Sequence, residues 1–114
     1  MDFGDALRAL KQGARVARAG WNGKGMWLKL APGSVIGARD AKCGHATAHR
    51  AEELEHPEGE IEVLPHIDMR AADGTIVVGW LASQTDMLAD DWRIVGDTVQ
   101  PDAFAAPFDS ARTA

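Results

Sequence analysis

The side chains best equipped for chemistry in this sequence are aromatic rings and amides rather than nucleophiles. Four tryptophans occur among 114 residues, with no tyrosine. Trp21 stands within Gly20-Trp21-Asn22-Gly23-Lys24-Gly25-Met26. An indole flanked by glycines offers a stacking platform, and the glycines let a ligand approach the backbone closely. Beside it, Asn22 can read the edge of a base and Lys24 can meet a phosphate. A second run, Trp80-Leu81-Ala82-Ser83-Gln84-Thr85-Asp86-Met87, places four consecutive polar side chains at an expected strand-to-helix turn, where free backbone N–H groups suit an anion. Each feature has a plainer structural alternative. A tryptophan commonly fills core, and Ser83 commonly caps a helix. Trp21 departs furthest from that alternative, because a hairpin ring is harder to bury than a mid-strand one.

Catalytic arrangements are missing from the sequence. It has no G-x-S-x-G, G-x-x-x-x-G-K-[ST], H-E-x-x-H or G-x-G-x-x-G. Cys43 lies two residues from His45, but both fall in a polar stretch where a solvated thiol beside a solvated imidazole is expected. Cys43, His45, His49 and His56 have the residue types of a zinc set but lack the paired C-x-x-C knuckle. Asp86, Asp90 and Asp91 cluster, as helix-start and surface carboxylates do. The sequence therefore predicts no catalytic residue, no metal and no cofactor. The alternative is a metal-dependent hydrolase of a nucleotide signal using Asp86 or Asp90; another is a protein-binding inhibitor of a host factor with a tryptophan-rich hot spot.

The elements that must position these residues follow from periodicity. Phe3, Ala6, Leu7 and Leu10 recur at helical spacing and predict a helix over 5–11, with Asp2 as N-cap and Gly13 beyond the end. Residues 14–19 and 26–30 read as two strands joined at Asn22-Gly23. Residues 38–60 read as a polar loop excursion carrying a short surface helix over 46–54. Residues 61–69 return to strand character, broken at Pro65, and Asp73-Gly74 marks a second hairpin. The run 75–81 is the most strand-like in the chain. A short helix from Ser83 to about Asp90 is expected to turn Met87 and Leu88 inward, with a last strand over 92–95.

The expected fold is α+β: a small antiparallel sheet, the N-terminal helix packed on it, and a short second helix. One ligand-binding domain is expected over 1–96, followed by a flexible tail over 97–114. The hydrophobic share of 46% and charged share of 25% suit a globular chain. The net charge of −5 argues against a long nucleic acid as partner, though not against a compact phosphate ligand. No apolar stretch approaches the ~20 residues of a membrane span, and the first residues do not resemble a secretory signal. With Cys43 as the sole cysteine, a reducing cytoplasm is the expected setting.

Phe3-Gly4-Asp5-Ala6-Leu7, Gly20-Trp21-Asn22-Gly23-Lys24-Gly25-Met26, Pro65-His66-Ile67-Asp68-Met69 and the run from Trp80 to Trp92 resemble, in the same order, the phage anti-Thoeris proteins of the second type. The resemblance runs from Met1 to about Val95. It departs over 37–60, at an extra Gly79, and in the tail. It implies a homotetrameric sponge in the cytoplasm of the infected bacterium, holding a cyclic ADP-ribose-type signal without cleaving it. Some members also hold cyclic oligonucleotides at a separate site. Ligand contact is carried over to Trp21, Asn22, Gly23, Met26, Trp80, Ser83, Gln84, Thr85 and Asp86. At roughly −0.3 kcal/mol per heavy atom, a dinucleotide-sized ligand reaches tens of nanomolar only in a largely enclosed site, which favours a pocket shared between protomers.

Overall fold

The computed structural model describes residues 1–21 and 25–96. The expected Asn22-Gly23 turn, Lys24 and the tail over 97–114 lie outside the described residues. The chain divides into two compact units: Met1–Ala31 together with the segment from His66 onward, and Pro32–Pro65.

The first unit begins with a helix, α1 (Phe3–Lys11). Asp2 caps it, accepting from the Asp5 amide at 2.8 Å, while the Asp5 carboxylate accepts from the Asp2 amide at 3.3 Å. This reciprocal pair satisfies donors that the first helical turn leaves open. The chain leaves the helix through Gly13, whose φ of +95° suits glycine. The inward stripe of α1 is Ala6, Ala9 and Leu10, all buried, with Phe3 and Leu7 packed partly against the core.

Five strands form the sheet beneath it: β1 (Val16–Arg18), β2 (Trp27–Ala31), β5 (His66–Arg70), β6 (Ile76–Val77) and β7 (Trp92–Ile94). Their spatial order is β6-β5-β2-β1-β7, and every pairing is antiparallel. Register sets the core. Val16 lies opposite Leu28 on one side and Ile94 on the other, and Leu28 lies opposite Met69. Val16 and Leu28 have no exposed surface, and they close with Leu10 and Trp92 under α1. Burying each large apolar side chain stabilises the fold by roughly 1.5–3 kcal/mol. This is the α+β architecture expected from the sequence, with a helix on an antiparallel sheet.

Two local expectations are corrected. The run 75–81 supplies only the two-residue edge strand β6, with Ile76 and Val77 exposed. Asp73-Gly74 makes the turn as expected, with the Thr75 amide and hydroxyl donating to Asp73 at 3.0 and 2.7 Å. Past Val77, however, the backbone turns away at Gly79, whose φ is +84°. The helix α3 (Gln84–Met87) is a single turn that does not reach Asp90, and Met87 and Leu88 point outward rather than into the core. The buried aromatic beside this turn is Trp92, whose indole N–H donates to the Asp86 carbonyl at 2.9 Å.

The second unit contains the stretch read as a polar excursion, and it has its own frame. Strands β3 (Ser34–Gly37) and β4 (Glu60–Val63) pair antiparallel, with Ile36 opposite Ile61. Between them run a short 3-10 turn at Ala38–Asp40 and α2 (Ala46–Leu54), the surface helix the sequence predicts, which buries no residue. Ion pairs Arg39–Glu58 and Arg50–Glu53, each at 3.0 Å, are exposed and contribute little.

Candidate ligand-binding site

Arg18, the last residue of β1, organises the polar end of the sheet in the first unit. Opposite Trp92 in the ladder, it shares the α1-facing side of the sheet with Val16. Its Nε donates to Asp91 Oδ1 and its Nη1 to Asp86 Oδ1, both at 2.8 Å. The three side chains are 17%, 34% and 15% exposed for Arg18, Asp91 and Asp86. Asp91 reaches back to accept the Gly20 amide at 2.8 Å, and its carbonyl accepts the Ala19 amide at 3.0 Å. A Cβ at Gly20 would stand 2.8 Å from the same carboxylate, so a side chain there would displace the contact.

Charge follows this geometry. The Arg18 hydrogen bond, with the Gly20 amide, holds the Asp91 carboxyl below the ordinary carboxylate range against a smaller effect of burial. Burial pushes the Asp86 carboxyl up, but hydrogen bonds from Arg18, Ser83 and Trp21 outweigh it, and this group too is held low. Asp91 and then Asp86 raise the Arg18 guanidinium above its usual value. Both carboxylates are therefore ionised and spoken for at neutral pH.

Around this ionic centre stand the aromatic rings. The Trp21 indole N–H donates to Asp86 Oδ1 at 3.3 Å. Trp21 lies edge-on to Trp92 and Trp80, with centroids at 5.4 and 6.5 Å, and Trp80 lies edge-on to Trp92 at 6.3 Å. Phe3 joins Trp92 at 5.4 Å and Trp80 at 6.4 Å. Trp80 is fixed through its amide, which donates to the Ile67 carbonyl. Edge-to-face aromatic pairs contribute roughly 0.5–1.5 kcal/mol beyond the area they bury.

The structure thus brings Trp21, Trp80, Ser83 and Asp86 into one cluster. Ser83 caps α3, accepting from the Asp86 amide at 3.1 Å. Gln84 and Thr85 are exposed on that turn, and Met26 is half-buried just before β2. Asn22 and Gly23 lie outside the described residues. Trp21 is not a free-standing platform: it is half-buried, with one flank against the core and its N–H engaged. Arg18 escaped the sequence reading, because a lone arginine in a short strand carries no motif. Its partners lie 68 and 73 residues further along the chain. Among the described residues, no three His, Cys, Asp or Glu side chains group closely enough to hold a metal ion. A shallow cavity of about 250 Å³ in the second unit, lined by Ala38, Arg39, Ala51, Glu52, His56 and Pro57, contains none of the expected site residues.

A family model described as the Thoeris anti-defense 2-like domain matches residues 1–95. The chain belongs to the Thoeris anti-defense 2-like family. A protein named Thoeris anti-defense 2, from Bacillus phage SP01, is 43% identical over 96 residues, which cover 83% of this chain and 94% of that protein. The Thoeris anti-defense 2-like span takes in α1, the seven strands among the described residues and the whole Arg18–Asp86–Asp91 network, and it ends just past β7. No helix among the described residues is long and apolar enough to cross a membrane.

Proposed function

We propose that this chain acts for a phage against Thoeris defence as a sponge. It binds a cyclic ADP-ribose-type immune signal, and in some settings cyclic oligonucleotides, and holds the ligand uncleaved. The reading rests on one observation: the Thoeris anti-defense 2-like match over residues 1–95. The binding surface is assigned to Trp21, Asn22, Gly23, Met26, Trp80, Ser83, Gln84, Thr85 and Asp86, working in the cytoplasm of the infected bacterium. Exposed Ser83, Gln84 and Thr85 beside the half-buried Trp21 support a polar rim on an aromatic floor.

The state of the aspartates supports binding over hydrolysis. A general base works best with a pKa near the operating pH. Asp86 and Asp91 are held low and tied to Arg18, which suits a fixed scaffold better than proton transfer. A homotetramer is the proposed assembly. It is supported by outward apolar side chains on one short stretch, Val78, Leu81 and Leu88 at 70, 90 and 79% exposure. Those same residues favour the second reading, an inhibitor that docks on a host protein.

The test is direct. Purified protein is incubated with glycocyclic ADP-ribose or with cyclic oligonucleotides, filtered, then denatured, and the released material is assayed. Depletion followed by recovery of intact ligand is expected. Altered product would make the chain an enzyme, and no depletion of any ligand would put a protein partner first.

A further inference from the structure

The connection from β1 to β2 carries Trp21 and Met26, and a glycine precedes each of them, Gly20 and Gly25. By residue type alone, such glycines open the backbone to a ligand. The folded chain gives both of them another occupant. A Cβ on Gly20 would stand 2.8 Å from Asp91 Oδ2, and a Cβ on Gly25 would stand 2.8 Å from Arg70 Nη1, closer than side chains pack. In each case the side chain that fills the space also bonds the glycine backbone. Asp91 accepts the Gly20 amide at 2.8 Å, and Arg70 donates to the Gly25 carbonyl at 3.1 Å. Gly25 is also required by its φ of +77°. Gly20 lies outside the left-handed region, so the Asp91 contact is what excludes a side chain there.

The two stems of the connection are thus held by different parts of the sheet. Asp91 is fixed by Arg18, on the strand that leads into the connection. Arg70 comes from β5, where it is the last residue and lies opposite Trp27 in the ladder. The same Nη1 donates to the Ala71 carbonyl at 3.2 Å, and that carbonyl accepts the Gly74 amide at 2.9 Å. One guanidinium therefore ties the start of β2 to the Asp73-Gly74 turn that follows β5. Arginine suits this post, because it stays charged and its planar fork loses little freedom for each hydrogen bond formed. A charged donor also makes a stronger bond to a carbonyl than a neutral one does.

We propose that Arg70 is a positioning residue for the ligand site: it holds the Gly25–Met26 stem, as Asp91 holds the Gly20–Trp21 stem, so that Met26 and Trp21 stand in place before a ligand arrives. The inference rests on the sponge reading, which assigns Trp21 and Met26 to ligand contact. Arg70 acts through the Gly25 carbonyl and not by touching the ligand. Groups already ordered lose less freedom on binding, so a clamp of this kind is felt in affinity more than in the stability of the fold.

The test compares the wild-type full chain with Arg70→Met, which keeps the apolar stem and removes the donors, and with Arg70→Lys, which keeps the charge. In the ligand-free protein, Arg70→Met is expected to move the amide resonances of Gly25 and Met26 while those of Ala6 and Leu10 on α1 stay in place. By titration calorimetry, Arg70→Met is expected to bind glycocyclic ADP-ribose about tenfold more weakly or worse, with Arg70→Lys between it and the wild type. Gly20→Ala, which sets a methyl group against Asp91 at the other stem, is expected to weaken the same ligand. A lowered Tm in Arg70→Met with the wild-type Kd would make Arg70 merely structural and overturn the proposal, as would unmoved Gly25 and Met26 resonances. Where Arg70→Met does not fold, Arg70→Lys carries the test, and a wild-type Kd there overturns the proposal. A wild type that takes up no glycocyclic ADP-ribose overturns the sponge reading and this role with it, whereas wild-type uptake with undiminished affinity in Arg70→Met overturns this role alone.

Discussion

Replacing Asp86 with asparagine tests the ionic centre by removing one charge and almost no volume. Its Oδ1 accepts from Arg18 Nη1 at 2.8 Å and from Trp21 Nε1 at 3.3 Å, and the side chain is 15% exposed. The amide retains an acceptor oxygen but not the charge. A hydrogen bond to a charged group contributes roughly 1.5–3 kcal/mol and a neutral one about 1 kcal/mol, so the expected loss is about 0.5–2 kcal/mol. In a domain of this size that lowers Tm by roughly 2–16 °C. Urea unfolding followed by tryptophan fluorescence at fixed protein concentration measures it, with the slope m unchanged. Acid supplies a second readout. The folded Asp86 pKa lies below its unfolded value of about 3.9, so its contribution is complete above that pH and is lost as pH falls through the folded value. The gap between wild type and D86N should be full at pH 7 and should close in acid. Stability within about 0.5 kcal/mol of wild type at pH 7, the ordinary range for an uninvolved surface site, would refute the reasoning, as would a gap that widens on acidification.

Other expectations follow from the same geometry. Leu28→Ala leaves a cavity at a fully buried position and should cost about 2–5 kcal/mol in urea unfolding, without a new ligand preference. Leu81→Glu with Leu88→Glu should reduce the assembly's mass by light scattering while leaving the far-ultraviolet circular dichroism of the protomer unchanged; an unaltered mass would count against these residues as contacts. A sponge ligand present at 100 times its Kd should stabilise the fold by about 2.7 kcal/mol, read as a rise in Tm that grows with ligand concentration. Trp21→Ala should weaken that ligand and also lower Tm, because the ring packs on Trp80 and Trp92; wild-type affinity in this variant would remove Trp21 from the site.

Local chemistry made parts of this fold legible. Asp2, Asp5 and Gly13 announce both ends of α1, and Asp73-Gly74 announces a turn, because caps and turns are made by neighbouring residues. The strand β3 gave no signal: it is four residues long and follows Pro32-Gly33. The run 75–81 looked like the strongest strand because Ile76, Val77 and Val78 suit a pleated surface. An edge position and the turn at Gly79 limit its pairing to two residues. The site divides along the same line. The tryptophans and the Ser83 turn stand out by type and local spacing, whereas Arg18 matters only through partners that the folded chain brings to it.

That dependence fixes when the site can come into being. Arg18 and Asp91 are 73 residues apart, and the Trp92 amide donates to the Met1 carbonyl at 3.1 Å. At roughly 5–20 residues per second, β1 leaves the ribosome some 4–15 seconds before its closing partner exists. Until β7 arrives, β1 offers an open edge and Val16 lacks the cover of Trp92. The Arg18–Asp91 contact is therefore a late one of high sequence separation, of the kind that slows folding. A truncation within β7 should yield an incomplete sheet rather than a smaller working protein, because β1 then keeps an open edge along Val16–Arg18.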